Sequence, residues 1–182
     1  MALQLTNSYL SDSTAIFKQY QALAERAMAQ VSDEALFAVL DGESNSIALI
    51  VKHMAGNMRS RWTDFLTTDG EKPDRNRDSE FEDPPQSREA LMAMWNEGWA
   101  CLYGALEALQ DSDMVRTVTI RGEAHTVMQA INRQVAHYSY HAGQIVFLSK
   151  HLSSAHWTTL TVARRESERF NQQVRAGELS QR

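Results

Sequence analysis

The stretch TVMQAINRQVAHYSYHAGQIVFLSKHL, Thr126 to Leu152, decides the fold. Thr126 with Gln129 three residues later reads as a capping box, in which two side chains satisfy free amides at the start of a helix. From there Val127, Met128, Ile131, Val135, Tyr138, Ala142, Ile145 and Val146 recur at three-and-four spacing to about His151. That period lays the apolar side chains along one stripe of a helix, and a stripe of this length has to be buried against other elements.

Three further amphipathic patterns supply the partners. One runs from about Asn7 to Ala29 through Tyr9, Ile16, Phe17, Tyr20, Leu23, Ala24, Ala27 and Met28. Ser32, Asp33 and Glu34 then read as the cap and acidic first turn of a short helix ending near Leu40, with Asp41-Gly42 as its break. A second long helix is expected from about Asn45 to Leu66, on Ile47, Ile50, Val51, Met54, Met58, Trp62 and Phe65. A third begins after Ser87, carries Glu89 in its first turn and runs to about Gln110.

Residues 67–86, between the second and third long helices, contain Gly70, Pro73, Pro84, Pro85 and many charges. A loop of that length inside a compact domain is functional or a crossover. The second helix is roughly 33 Å long, and the loop reaches about 66 Å when extended, so it can return along the whole helix. The resulting expectation is an all-α fold: a four-helix bundle, up-down-down-up, with a long crossover between helices 2 and 3. Simple up-down-up-down needs no such loop. Arg116 to Gly122 (RTVTIRG) is β-branched and reads as a small hairpin arm. Residues 153–182, with Trp157 and a weak helix near Ala163 to Val174, read as a peripheral segment. The whole chain, 1–182, is expected to be one domain with its core at about 5–152.

Composition bounds the function. The chain has 182 residues, 43% of them hydrophobic, enough for one core without staples. Eight glycines and three prolines are few for this length and agree with a helical protein. Eighteen basic and 23 acidic residues give a net charge of −5 with no basic block, so no nucleic-acid partner is expected. No apolar run approaches the roughly 18–20 residues of a membrane span, and MALQLTNSYL lacks the charged and apolar regions of a secretory signal. The single cysteine, Cys101, permits no internal disulfide and fits a reducing compartment. It reads as a small buried apolar residue of the third helix rather than a nucleophile. A cytoplasmic protein is expected.

Among the six histidines, His137 and His141 are spaced i, i+4 and stack on one helix face. On a helical wheel they lie about 80–120° to one side of their apolar stripe, and His53 lies about 130° from its own, on the side of the same hand. If the second and fourth long helices are antiparallel, His53, His137 and His141 sit at depths of roughly 20, 16 and 22 Å. The three imidazoles then meet at one level. Three neutral imidazoles without a fourth protein ligand form an open site suited to Zn²⁺, Ni²⁺ or Fe²⁺. A cation there lowers the pKa of a bound water or an incoming thiol. The competing reading is three boundary histidines bonded to neighbouring groups.

The segments SIALIVKHMAGNMRSRWTDFLTTDGEKPDRNRD (Ser46 to Asp78) and RTVTIRGEAHTVMQAINRQVAHYSYHAGQIVFLSKHL (Arg116 to Leu152) resemble the DinB/YfiT-like metalloenzymes. They look closest to a largely uncharacterised bacterial branch of that superfamily, and the resemblance extends over about residues 5–172. Its pattern, a histidine in helix two and HxxxH in helix four, falls on His53, His137 and His141. The resemblance implies an up-down-down-up bundle, a homodimer, and a divalent metal held by that triad. Characterised relatives, bacillithiol S-transferases and mycothiol-dependent maleylpyruvate isomerase, use the metal to activate a low-molecular-weight thiol. The leading expectation is therefore a metal-dependent thiol transferase acting on a small electrophilic substrate. Metal-assisted hydrolysis, or a non-catalytic dimeric metal-binding protein related to stress, are the alternatives.

Around the triad, Asn57, Gln134 and Gln144 lie about a turn from the histidines and can orient ligands or line a pocket. Trp62, Trp95, Trp99, Tyr138 and Tyr140 can build an aromatic wall or belong to the core. Arg59, Arg61, Arg75 and Arg77 can attract an anionic substrate, but with acidic neighbours a solvated surface is the expectation. No carboxylate stands at a spacing that marks it as a general base.

Overall fold

The computed structural model describes residues 5–180. The reading of MALQLTNSYL and both ends of the 1–182 domain fall in part on residues 1–4 and 181–182, outside the described residues. Within them the chain is mostly helical: α1 (Leu5–Met28), α2 (Asp33–Phe37), α3 (Ile47–Trp62), α4 (Arg88–Glu107), α5 (Val127–Ser153) and α6 (Ser167–Arg175). Two short strands, β1 (Thr117–Ile120) and β2 (Glu123–Thr126), pair antiparallel between α4 and α5. No helix among the described residues is long and apolar enough to cross a membrane.

The helix starts follow the capping residues. Ser32, Ser46 and Ser87 each accept a hydrogen bond from the amide three residues on, and Thr126 with Gln129 forms the reciprocal capping box. The ends differ more. α3 stops at Trp62, four residues before the expected Leu66, because Thr63 is extended and Asp64 has φ 48°. Phe65 nevertheless packs on Trp62, ring centroids 4.8 Å apart. α2 stops at Phe37, and α4 at Glu107.

Hydrogen bonds fix the helix directions pairwise. Tyr9 at the start of α1 donates to the Met128 carbonyl at the start of α5, and Ser153 at the end of α5 donates to the carbonyl of Gln30, just past α1. α1 and α5 therefore run the same way. Arg88, at the start of α4, reaches the Met28 and Val31 carbonyls, while Tyr103 near its end donates to Gln21, so α4 runs against α1. Trp62, at the end of α3, borders a small pocket with Ala130 and Gln134, whereas His53, nine residues earlier, reaches on to His141, ring centroids 4.9 Å apart, so α3 runs against α5. Each long helix sends one ring to the centre: Phe17 lies 6.1 Å from Trp62, 6.4 Å from Trp99 and 5.8 Å from Tyr138. At Gly98 α4 touches α3 so closely that a Cβ would stand 3.0 Å from the Ala55 Cα.

The segment between α3 and α4 runs back along α3. Ser60 donates to the Gly70 carbonyl, Glu80 lies against Gly56, and Lys52 donates to the Glu82 and Asp83 carbonyls. A 3-10 turn, Asp78–Phe81, sits in its middle. The hairpin turn has two residues with positive φ, Arg121 at 56° and Gly122 at 76°; only glycine takes that region freely. Asp69 accepts from both of their amides, and the Gly70 amide donates to the Thr119 carbonyl. The returning segment and the hairpin are thereby tied together at one end of α3.

Candidate metal centre

α3 and α5 bring His53, His137 and His141 together, with one ring nitrogen of each within 4.8 Å of the others. His53 Nε2 lies 3.2 Å from His137 Nε2, which lies 3.0 Å from His141 Nε2. His53 and His141 are 4% and 8% exposed, and His137 is half-buried.

The outer nitrogens are already committed. His53 Nδ1 lies 2.8 Å from Glu80 Oε2. Burial pushes the Glu80 carboxyl pKa up, but hydrogen bonds from His53 and Arg75 and the charge of Arg75 outweigh it and hold the value below the usual range. Glu80 is thus a carboxylate, an acceptor only, so in the neutral imidazole, the form that binds a metal, His53 carries its proton on Nδ1 and a lone pair on Nε2. His141 Nδ1 lies 2.7 Å from Gln144 Oε1, whose amide nitrogen donates to the Tyr140 hydroxyl. His141 Nε2 is then a lone pair as well.

His137 can place one proton at most between these two acceptors. At most one of the two Nε2···Nε2 contacts is therefore a well-directed hydrogen bond, and if His137 carries its proton on Nδ1 both are lone pair against lone pair, an arrangement that a buried site does not tolerate without a partner. Protonation does not resolve it. Burial, then the neighbouring His141 and His53, push His137 down to about 3. Burial and His53 bring His141 to about 4, against the raising effect of Gln144. The donor set fits a divalent cation: neutral imidazoles, two separations near those enforced by a shared ion at about 2.0–2.1 Å, and outer hydrogen bonds that fix two tautomers.

The depressed values have a consequence for chelator-treated protein. In the unfolded chain these histidines take up protons around their ordinary 6.5, in the folded chain only near 3 and 4. Their contribution to stability is complete above about pH 6.5 and is lost as pH falls through that window, by up to about 1.4 kcal/mol per histidine per unit. The urea midpoint should drop between about pH 7 and pH 5, and drop less in His137→Ala/His141→Ala. Equal slopes in the two proteins would contradict the burial of neutral imidazoles.

Glu80, which carries no distinguishing spacing, is the residue that sequence reasoning missed. It stands among Asp78, Glu82 and Asp83 in DSEFED, and only the fold of the returning segment singles it out at 6% exposure. Gly56 makes room for it: a Cβ there would lie 2.5 Å from Glu80 Oε1. Arg75 clamps its carboxylate through Nε at 2.7 Å and a second nitrogen at 2.9 Å. Phe81 stacks on His53, centroids 4.6 Å apart.

Other expectations need correction. Arg61 and Arg75 are not a solvated surface; both are buried and paired with Glu71, Arg75 also with Glu80. Arg59 and Arg77 are exposed. Trp62, Trp95, Trp99 and Tyr138 are core, the second of the two readings for the aromatic residues; of the five, Tyr138 lies 5.4 Å from the His137 ring and exposed Tyr140 lies 4.9 Å from that of His141. Cys101 is half-buried with its sulfur 3.5 Å from the Thr63 hydroxyl. Asn57 accepts from the Tyr138 hydroxyl, Gln144 holds His141, and Gln134 faces the cleft that opens beside His53 and His137.

No curated protein and no solved structure matches the chain. Residues 4–166 match the family described as protein of unknown function (DUF1572), and the chain belongs to that family.

Proposed function

We propose that this chain is a divalent-metal-dependent enzyme of the DinB-like type, with His53, His137 and His141 as the metal ligands. The observation that carries the proposal is the convergence of three Nε2 atoms with too few protons to satisfy them. The pairwise helix directions support an up-down-down-up bundle, with α1 and α5 pointing one way and α3 and α4 the other.

A divalent ion so held supplies Lewis acidity, which lowers the pKa of a coordinated thiol or water; thiol transfer to a small electrophile is the chemistry proposed. Glu80 keeps the His53 proton on Nδ1 and so aims Nε2 inward, and Gln144 does the same for His141. Arg75 keeps Glu80 ionised, so that it orients rather than donates. Gln134, 3% exposed with an unpartnered Oε1, can accept from a donor group of the substrate. We further propose a homodimer: Tyr140 and Phe147, 62% and 66% exposed on the outer face of α5, support an apolar contact there.

Elemental analysis of protein purified without a metal-affinity tag tests the centre. Wild type should carry about one ion per chain, and His137→Ala/His141→Ala should carry essentially none. Metal in neither protein after reconstitution would return the histidines to neighbour-bonded boundary residues. The reaction is tested next, on a panel of thiols and electrophiles with the loaded protein. Equal turnover by wild type and the triple alanine variant would remove thiol transfer on those substrates.

A further inference from the structure

The cleft beside the histidines has a volume of about 220 Å³, and its lining is unusual in charge. His53, Asn57, Gln134 and His137 form one part. Arg61, Arg75, Arg77, Arg121 and Arg133 form the rest, without a carboxylate among the lining residues. Five arginines therefore converge on a small opening in a chain whose net charge is −5.

Among the described residues, two carboxylates form ion pairs with them. Glu71 takes Arg61, Arg75 and Arg121, and Glu80 takes Arg75. Arg77 lies over the Phe81 ring, 5.1 Å from its centroid, and neither it nor Arg133 makes an ion pair among the described residues. Five guanidinium groups against two ion-paired carboxylates leave an excess of positive charge at the mouth of the cleft, with Arg77 and Arg133 free of any ion pair among the described residues. Arg121 is also placed there deliberately: its left-handed backbone is held by Asp69, and its guanidinium shares Glu71. Buried Gln134 adds an unpartnered acceptor on the same wall.

We propose that this cleft takes a small anionic ligand, bearing a carboxylate or phosphate group that Arg77, Arg121 and Arg133 grip, as the substrate class of the metal centre; the proposal rests on the metal-binding reading above. Guanidinium forks match both oxyanions in bidentate fashion. The volume, below the roughly 300 Å³ of common ligand pockets, limits the occupant to a few heavy atoms or to the anionic end of a longer molecule. Gln134 then accepts from a hydroxyl or amine next to the anionic group.

Calorimetric titration of malonate and, separately, inorganic phosphate into metal-free and metal-loaded protein at low salt tests the proposal. Saturable binding to one site is expected in both forms, weakened at least about tenfold in Arg77→Ser/Arg133→Ser. Both residues are exposed, so the variant should fold as wild type does. Arg116→Ser, outside the cleft and paired with Asp113, should bind within about twofold of wild type. The tighter of the two probes assigns the planar or the tetrahedral anion. Absence of saturable binding by either, or equal affinity in the double variant, would overturn the anion site. Metal content measured on the same samples separates the two readings: arginine-dependent binding by protein that never takes metal would sink the metal centre alone.

Discussion

Glu80→Ala should weaken divalent-metal binding about 10–100-fold and lower the stability of the metal-free protein by about 3 kcal/mol. The two effects have separate origins. Metal affinity falls because His53 loses the acceptor that fixes its tautomer, so Nε2 spends part of its time protonated and turned from the site. Stability falls because the buried Arg75 guanidinium loses two of its hydrogen bonds and keeps only Glu71. That remaining partner places the cost at the low end of the range for a broken buried pair. Glu80→Gln separates the effects further. Its amide oxygen can still accept from His53, so affinity should fall less, whereas Arg75 meets an uncharged group and loses most of its ionic partner. Competition with a chromophoric chelator reads the affinity, and urea denaturation in excess chelator reads the stability. Affinity within about twofold of wild type for Glu80→Ala would show that His53 needs no outer carboxylate.

The fate of Glu80 also marks the limit of what the sequence discloses. The triad was legible because its residues sit on long helices, where a fixed rise and rotation per residue turn spacing into position. His53, His137 and His141 are placed by that arithmetic, and Thr126, Ser32 and Ser87 mark helix starts from their hydrogen-bonding chemistry, whereas the Ser46 cap of α3 lies one residue past the expected start. Glu80 sits in a loop, where no period exists. Its position depends on Gly56 leaving a gap on α3 and on Lys52 fastening the next residues, contacts between segments far apart in sequence.

The arginines were misread for a related reason. Local composition around Arg61 and Arg75 is acidic, which normally means mutual solvation at a surface. Here the acids fold inward with them, and Glu80 becomes a buried partner and Glu71 a half-buried one rather than surface neighbours. Arg121 and Arg133 drew no notice, since one lies in the hairpin turn and the other on an exposed turn of α5. Only the hairpin's attachment through Asp69 sets Arg121 on the cleft.

Trp95→Ala should cost about 3–5 kcal/mol of stability, a fall in melting temperature of roughly 6–20 °C for a chain of this size, yet leave metal affinity within about twofold. Trp95 is fully buried on α4, packs edge-on against Trp99 at 5.4 Å and donates from its indole to Glu25 on α1. Removing it deletes one of the largest side chains in the core, leaves a cavity between α4 and α1 and strips Glu25 of its indole donor. None of these partners lines the cleft or touches a histidine of the triad. The measurement has to be made in chelator, since a bound ion stabilises the folded state by mass action and would mask part of the loss. Paired with Glu80→Ala, the variant tests whether the centre is built by local orientation or by global rigidity. A comparable stability loss that leaves affinity intact assigns the metal site to its immediate partners, Glu80 and Gln144. A collapse of affinity in Trp95→Ala would instead mean that the three imidazoles converge only because the whole core holds α3 and α5 in register.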